Sequence, residues 1–257
     1  MKIGIIGLGS MSSAIAKGLI AHGGIAPENI TASARNRARL ESKCSELGIK
    51  AGTSAEAAES SDIVIIGVIP SQVEAVAREI GHLLPDKITV SIAYGVSHER
   101  YMEILPEGCN VICTVPNTPV EVGKGVFVCS NDHSLTKEQF DVFKDVFGRI
   151  SLVELLSPEL LDLGGIVAGS TPAFMDMVIE ALSDAAVLHG MPRDTPYRLV
   201  EKMMEGTAAY AMESGTYPAA LKDGVCSPGG ATIKGVASLE ESGMRGAFIK
   251  AIAAIMK

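Results

Sequence analysis

The chain has 257 residues, 47% of them apolar and 20% charged, enough to bury one large core or two modest ones. Its formal charge of −8 argues against a general nucleic-acid or membrane-surface role, so any anionic ligand has to be held by local positive features. Five cysteines with no CxxC pair and no histidine at metal-ligand spacing exclude an obvious metal site and read as buried thiols of a reducing compartment.

Met1 leads straight into KIGIIGLG with no basic-then-apolar leader, and no apolar run nears about eighteen residues. The expectation is a soluble, cytoplasmic protein. In chain order, KIGIIGLG (2–9), NITASA (29–34), DIVIIGVI (62–69), ITVSIA (88–93), NVICTV (110–115) and GVFVCS (125–130) read as strands. They are apolar on both faces, the pattern of parallel strands covered by helices on each side. Helical segments fit between them around 11–22, 35–47, 71–83 and 97–105. A helix over 136–147 and a short strand near 151–154 close the domain. This alternation predicts an α/β fold with a Rossmann-type doubly wound parallel sheet over residues 1–154.

From about Ser157 no strand-like run remains. The segments 158–190, 193–214, 231–241 and 243–256 read as helices, so residues 155–257 are expected to form an all-helical second domain. Pro172 suits the first turn of a helix, with Ser170 or Thr171 as its cap. The stretch FMDMVIEALSDAAVLHG (174–190) is apolar around much of its circumference and wants burial on several sides. Its own domain or a partner subunit has to supply that cover. About a hundred residues of helix rarely suffice alone, so a partner subunit is expected.

Two stretches suggest chemistry. Gly7-x-Gly9 follows the first strand directly and opens the first helix, where glycines permit a tight turn and close approach of a pyrophosphate to helix N–H groups. The third glycine of the usual fingerprint is Ser12. At the end of the second strand, Ser33-Ala34-Arg35-Asn36-Arg37 holds no acid. A carboxylate there would bond a ribose 2′-hydroxyl and repel a 2′-phosphate, whereas arginine offers a fork for one. NADP is therefore expected over NAD, unless Arg35, Arg37 and Arg39 are only the solvated start of a helix. The second stretch, CSPGGATIKG (226–235), precedes a helix. It is either a loop with a cap or a set of backbone N–H groups that hold an anion.

Taken together, GLGSM (7–11), SIAYGVS (91–97), VPNTPVEVGKG (115–125), AGSTPAF (168–174) and VCSPGGATIKG (225–235) resemble the pyrroline-5-carboxylate reductase family, in order along nearly the whole chain. That family reduces a cyclic imine with NAD(P)H in the last step of proline biosynthesis. It pairs an N-terminal Rossmann domain with a helical C-terminal domain that forms homodimers, often assembled further. The resemblance implies that Gly7, Leu8, Gly9, Ser10 and Met11 wrap the pyrophosphate and that Ser33 and Arg35 face the adenosine ribose. Val68 and Pro70 would border the adenine side, and Ala93, Gly95 and Asn117 would lie by the nicotinamide. Ser227, Gly229, Gly230 and Thr232 would hold the substrate carboxylate in a pocket built from two subunits. The chain departs from the usual pattern at Ser12, Ile69, Tyr94, Cys113 and Val115, where the family has Gly, Lys, Ala, Arg and Met.

The reaction suits the residues present. Oxidising an alcohol needs a base, commonly His or Lys. Yet no Lys occurs between Lys144 and Lys202, and His189, the only His there, sits at a helix end where a structural role is expected. An imine needs no such base. Its nitrogen carries a proton from solution, and the protein has only to orient the ring and supply electrostatics. CSPGGATIKG is then read as an anion cradle, with the hydroxyls of Ser227 and Thr232 reaching the carboxylate or ring nitrogen as the catalytic contacts. The alternatives are a paralogue reducing another cyclic imine and a non-catalytic NADP-binding sensor. No metal, nucleic acid or membrane is expected among the partners.

Overall fold

The computed structural model describes residues 1–256 and divides into two compact units, Met1–Gly169 and Ser170–Lys257. In the first unit eight strands form one sheet: β1 (Ile3–Ile6), β2 (Ile30–Ser33), β3 (Lys50–Ala51), β4 (Ile63–Ile66), β5 (Ile88–Ser91), β6 (Asn110–Pro116), β7 (Gly125–Ser130) and β8 (Ser151–Leu156). Their order is β3-β2-β1-β4-β5-β6-β7-β8. The helices between them are α1 (Ser10–Ala21), α2 (Arg37–Leu47), α3 (Ser54–Glu59), α4 (Val73–Ile80), α5 (His98–Ile104) and α6 (Lys137–Phe147), and α7 (Pro158–Gly169) follows β8.

The doubly wound sheet is as expected, with one correction: not every neighbour is parallel. β6 and β7 pair antiparallel, with Val115 opposite Val128. The reason is the length of their link. Only residues 117–124 separate them, and a parallel return needs a crossover of a dozen residues or more. Other differences are small. The helix expected over 71–83 is α4 flanked by two 3₁₀ turns, Pro70–Gln72 and Gly81–Leu83. The two-residue β3 and the one-and-a-half-turn α3 are too short to show as periodicity.

Strand alternation splits the core in two. Ile3, Ile5, Ile63 and Ile65 join a cluster with Ile15, Phe127 and Phe147 on one face. Ile6, Val64 and Ile66 join Ala77, Tyr101 and Cys113 on the other. Burial on both faces is what made the strands continuous apolar runs. Register matters more for function. Ile6 lies opposite both Ser33 and Ile66, Ile66 opposite Ser91, and Ser91 opposite Cys113. The loops after β1, β2, β4 and β5 therefore start at one level, at the point where strand order reverses beside β1, the usual place for a ligand in such sheets.

The second unit is helical: α8 (Thr171–Leu188), α9 (Asp194–Ser214), α10 (Pro218–Gly224), α11 (Ala231–Glu241) and α12 (Met244–Ile255). α10 was not anticipated, and the helix expected over 158–190 is two helices, α7 and α8. The expectation of no long apolar run also needs correcting. The stretch Pro158–Leu188 is long and apolar enough, by length and composition alone, to cross a membrane. Its acidic residues Glu159, Asp162, Asp176, Glu180 and Asp184 are spread along it and disguise its mean apolarity.

Candidate functional site

The turn after β1 is built for close approach to a ligand. Gly7 has φ +97°, and a Cβ there would lie 2.7 Å from the Gly67 carbonyl oxygen, so only glycine fits. Its N–H and that of Leu8 donate to the Ser33 carbonyl (2.9 and 3.2 Å), which ties the turn to the end of β2. The Leu8 side chain is buried and leaves only its backbone to the cleft. Gly9 is the N-cap of α1 with no side-chain cap, and an added Cβ would meet nothing within 4 Å. The first N–H groups of α1 thus face open space at the positive end of a helix dipole, an arrangement suited to a pyrophosphate. Ser10 is exposed beside them, and Met11, half-buried, packs against the core behind.

Lys43 of α2 was not anticipated. Its Nζ donates to the Leu8 carbonyl (3.2 Å), the Gly9 carbonyl (3.3 Å) and Ser13 Oγ (3.0 Å), so a cation braces the glycine turn. Burial lowers its pKa, with the neighbouring Arg39 second. In the sequence it looks like one more charge on the solvated face of a helix, and no local pattern links it to residue 8.

The cleft beyond the turn has a volume of about 680 Å³ and is lined by Gly7, Leu8, Gly9, Ser10, Ser33, Arg35, Arg39 and Val68. Ser33 Oγ donates to Ser54 Oγ at 3.4 Å. Asn36 caps α2, its Oδ1 accepting from the Arg39 N–H at 3.0 Å, so the loop holding Arg35 is fixed at its far side. The three arginines separate in role. Arg37 pairs with Glu41 at 2.6 Å and is the solvated helix start that was the plainer reading. Arg35 and Arg39 line the cleft and have no carboxylate partner among the described residues. No acid stands at the end of β2, which fits a 2′-phosphate and not a bare ribose hydroxyl. Pro70 opens the 3₁₀ turn just outside the lining.

Ala93 and Gly95 line a smaller cavity of about 230 Å³ with Tyr94, His98, Cys113, Asp132 and Asp162. Gly95 has φ +79°, which the turn after β5 requires. His98 Nδ1 lies 3.2 Å from Asp132 Oδ1. Burial, and then Asp162, raises the Tyr94 pKa. Burial, with Asp132 second, pushes the Cys113 thiol up to about 12, so it stays a neutral thiol. Asn117, expected by the nicotinamide, is held in place by two side-chain hydrogen bonds. The residue is buried, its Oδ1 accepts from the Val126 N–H (2.8 Å) and its Nδ2 donates to the Ala168 carbonyl (3.0 Å). Both halves of the amide thus help to brace the turn after β6.

In the second unit Ser227-Pro228-Gly229-Gly230 forms a tight turn. Gly229 has φ +69°, and the Gly230 N–H donates to the Ser227 carbonyl at 3.0 Å, the pattern of a type II turn with Pro then Gly at its centre. A Cβ on Gly230 would fall 2.4 Å from Ser227 Oγ. Gly230 is also the N-cap of α11, with no side-chain cap. Ser227, Gly229 and Thr232 are exposed at this helix start. The two helix starts are therefore alike: an uncapped helix N-terminus entered through glycine, once on α1 and once on α11. Among the described residues no group of three or more His, Cys, Asp or Glu side chains could hold a metal.

Comparison with known proteins gives this geometry a context. Residues 158–257 match the family described as pyrroline-5-carboxylate reductase dimerisation. Residues 2–95 match the family described as NADP oxidoreductase, coenzyme F420-dependent. The pyrroline-5-carboxylate reductase of Treponema pallidum is 37% identical over 100% of this chain and 99% of its own. That of Escherichia coli is also 37% identical, over 100% and 96%. Among solved structures, the pyrroline carboxylate reductase of Plasmodium falciparum with NADP bound superposes with a TM-score of 0.85 at 27% identity, over 99% of this chain and 95% of that one. The Coxiella burnetii pyrroline-5-carboxylate reductase gives 0.85 at 28%, over 98% and 95%.

Proposed function

This chain belongs to the pyrroline-5-carboxylate reductase family, and from that premise we propose how its residues divide the work of reducing a cyclic imine. The protein is an NAD(P)H-dependent pyrroline-5-carboxylate reductase, making L-proline from the imine in the last step of proline biosynthesis. Bound NADPH supplies the hydride. In our reading Gly7, Leu8, Gly9 and Ser10 hold the pyrophosphate with helix N–H groups, Lys43 keeps that turn rigid, and Ser33 and Arg35 take the ribose end. Val68 and Pro70 flank the adenine side, and Ala93 and Gly95 line the nicotinamide end. Asn117, at the turn after β6, fixes that turn beside the nicotinamide end. Ser227, Gly229, Gly230 and Thr232 grip the substrate carboxylate.

The observation that carries this reading is the uncapped start of α11, whose donors are entered through Gly229 and Gly230 and left exposed. An anionic group there gains several charge-assisted hydrogen bonds at a helix dipole. With the carboxylate pinned, the ring is oriented and no side chain has to abstract a proton. We further read the protein as a cytoplasmic homodimer in which the carboxylate grip and the cofactor of each site come from different subunits. Five free cysteines, four of them buried, suit a reducing compartment.

Absorbance at the nicotinamide band, followed with pyrroline-5-carboxylate and a ring-size series of imines, tests the activity. Oxidation fastest with the five-membered ring is expected. Faster turnover of another ring would make the chain a paralogous reductase, and cofactor binding without oxidation would make it a sensor. Thr232→Ala is expected to raise KM for the imine on the order of tenfold, one lost charge-assisted hydrogen bond, while leaving NADPH affinity unchanged. An unaltered KM would remove Thr232 from the grip.

A further inference from the structure

The nucleotide cleft holds a contact that the family reading does not use. Gln72 closes the 3₁₀ turn Pro70–Gln72 and is half-buried on the wall of the cleft formed after β4. Arg35 comes from the opposite wall, after β2, and is exposed. Amide orientation follows from the groups around it. With the carbonyl oxygen of Gln72 turned toward the guanidinium, Oε1 accepts from Arg35 Nη1 at 2.5 Å and Nη2 at 2.7 Å. One neutral oxygen thus takes a fork of two N–H groups across the cleft.

That partner has two physical consequences. A long arginine side chain on an exposed loop loses rotamer freedom when it binds a phosphate, and a pre-formed fork bears part of that loss before the ligand arrives. A neutral acceptor also leaves the full positive charge in place. The guanidinium has five N–H donors, and the fork engages two, so three remain for a ligand. A carboxylate at position 72 would hold the arginine at least as firmly but would cancel its field. The backbone of Gln72 is itself anchored, its N–H donating to the Ile69 carbonyl at 2.9 Å, so the acceptor is a fixed point.

We propose that Gln72 is a positioning residue for Arg35 and, through it, sets the preference for a 2′-phosphorylated dinucleotide. This rests on the reading of Arg35 as the 2′-phosphate contact. The test is steady-state kinetics with NADPH and with NADH, at saturating imine, on the wild type, Arg35→Ala, Gln72→Ala, Gln72→Glu and the double variant Arg35→Ala/Gln72→Ala. Gln72→Ala is expected to raise KM for NADPH roughly three- to tenfold, the range of one ordinary intramolecular hydrogen bond, with kcat and the KM for NADH nearly unchanged. Gln72→Glu is expected to raise the NADPH KM at least as far. In the Arg35→Ala background, Gln72→Ala is expected to change the NADPH/NADH ratio no further.

Three results would overturn the inference while Arg35 keeps its role. They are an NADPH KM that stays level or falls in Gln72→Ala, equal losses for both cofactors, or a ratio that Gln72→Ala still shifts without Arg35. If Arg35→Ala itself leaves the ratio unmoved, the 2′-phosphate reading fails and the inference with it.

Discussion

A glycine within α1 and the glycine that caps it separate what the fold needs from what the ligand needs. A Cβ on Gly18 would lie 2.1 Å from the Val120 carbonyl oxygen and 3.0 Å from its carbon, so α1 packs backbone to backbone on the 3₁₀ segment Thr118–Val122. Gly18→Ala gains about 1 kcal/mol of helix propensity but has to push that segment away, an overpacking cost of about 1–3 kcal/mol or more. The clash wins because both parties are backbone. A lower Tm is expected, by roughly 2–8 °C at about 2–4 °C per kcal/mol for a protein of this size. Gly9 meets nothing, so Gly9→Ala is expected to leave Tm nearly unchanged while raising KM for both cofactors, because the methyl group occupies the space left for phosphate. A Tm loss in Gly9→Ala equal to that of Gly18→Ala would mean the open space is structural. The sequence distinguishes the two only in part. Gly9 stands in a recognisable turn, whereas Gly18 reads as any helical residue and its partner lies a hundred positions away. Lys43 and Gln72 were hidden in the same way, since each acts on residues distant in the chain.

At the scale of the element, the strands were legible because burial on both faces makes each a short apolar run, and the helices between them because one face alone is apolar. What stayed hidden was pairing direction, which depends on the length of a link and not on the residues of a strand, and elements below about two turns. The link between β7 and α6 also carries a pH dependence that no motif announces. His133 stacks on Phe140 of α6 with ring centroids 5.0 Å apart, and its Nδ1 is buried with no partner. Burial, and then the nearby His98, lowers its pKa below the ordinary 6.5, with Asp132 pulling weakly the other way. A histidine held neutral in the folded state contributes its full stability above 6.5. That contribution is lost as pH falls below 6.5, since the unfolded chain then binds the proton more readily. Thermal melts at pH 7.5 and 5.5 are expected to show a smaller drop for His133→Leu than for the wild type. An identical drop would assign the acid sensitivity to other groups.

Over the whole molecule the asymmetry lies in where the core is. Both buried apolar clusters belong to the first unit. In the second, α8 and α9 bury only Ser183 and Pro196, and α10, α11 and α12 bury nothing. Large apolar side chains stand exposed instead, among them Met177 at 67%, Leu188 at 82% and Ile249 at 71%. Each is worth about 1.5–3 kcal/mol when covered, so the helices of this second unit await another surface. The match of residues 158–257 to a dimerisation family points to a second copy of the chain as that surface. A shared site makes a demanding prediction of that dimer. One chain carrying Gly9→Ala keeps its carboxylate grip, and one carrying Thr232→Ala keeps its cofactor turn. If grip and cofactor come from different subunits, a mixed dimer contains one site with both variants and one with neither. Coexpressed, differently tagged chains, purified through both tags, are therefore expected to recover about half the wild-type kcat, with the wild-type KM for both substrates. If each chain builds its own site, every site in the mixed dimer carries one lesion, and no wild-type KM pair can be recovered.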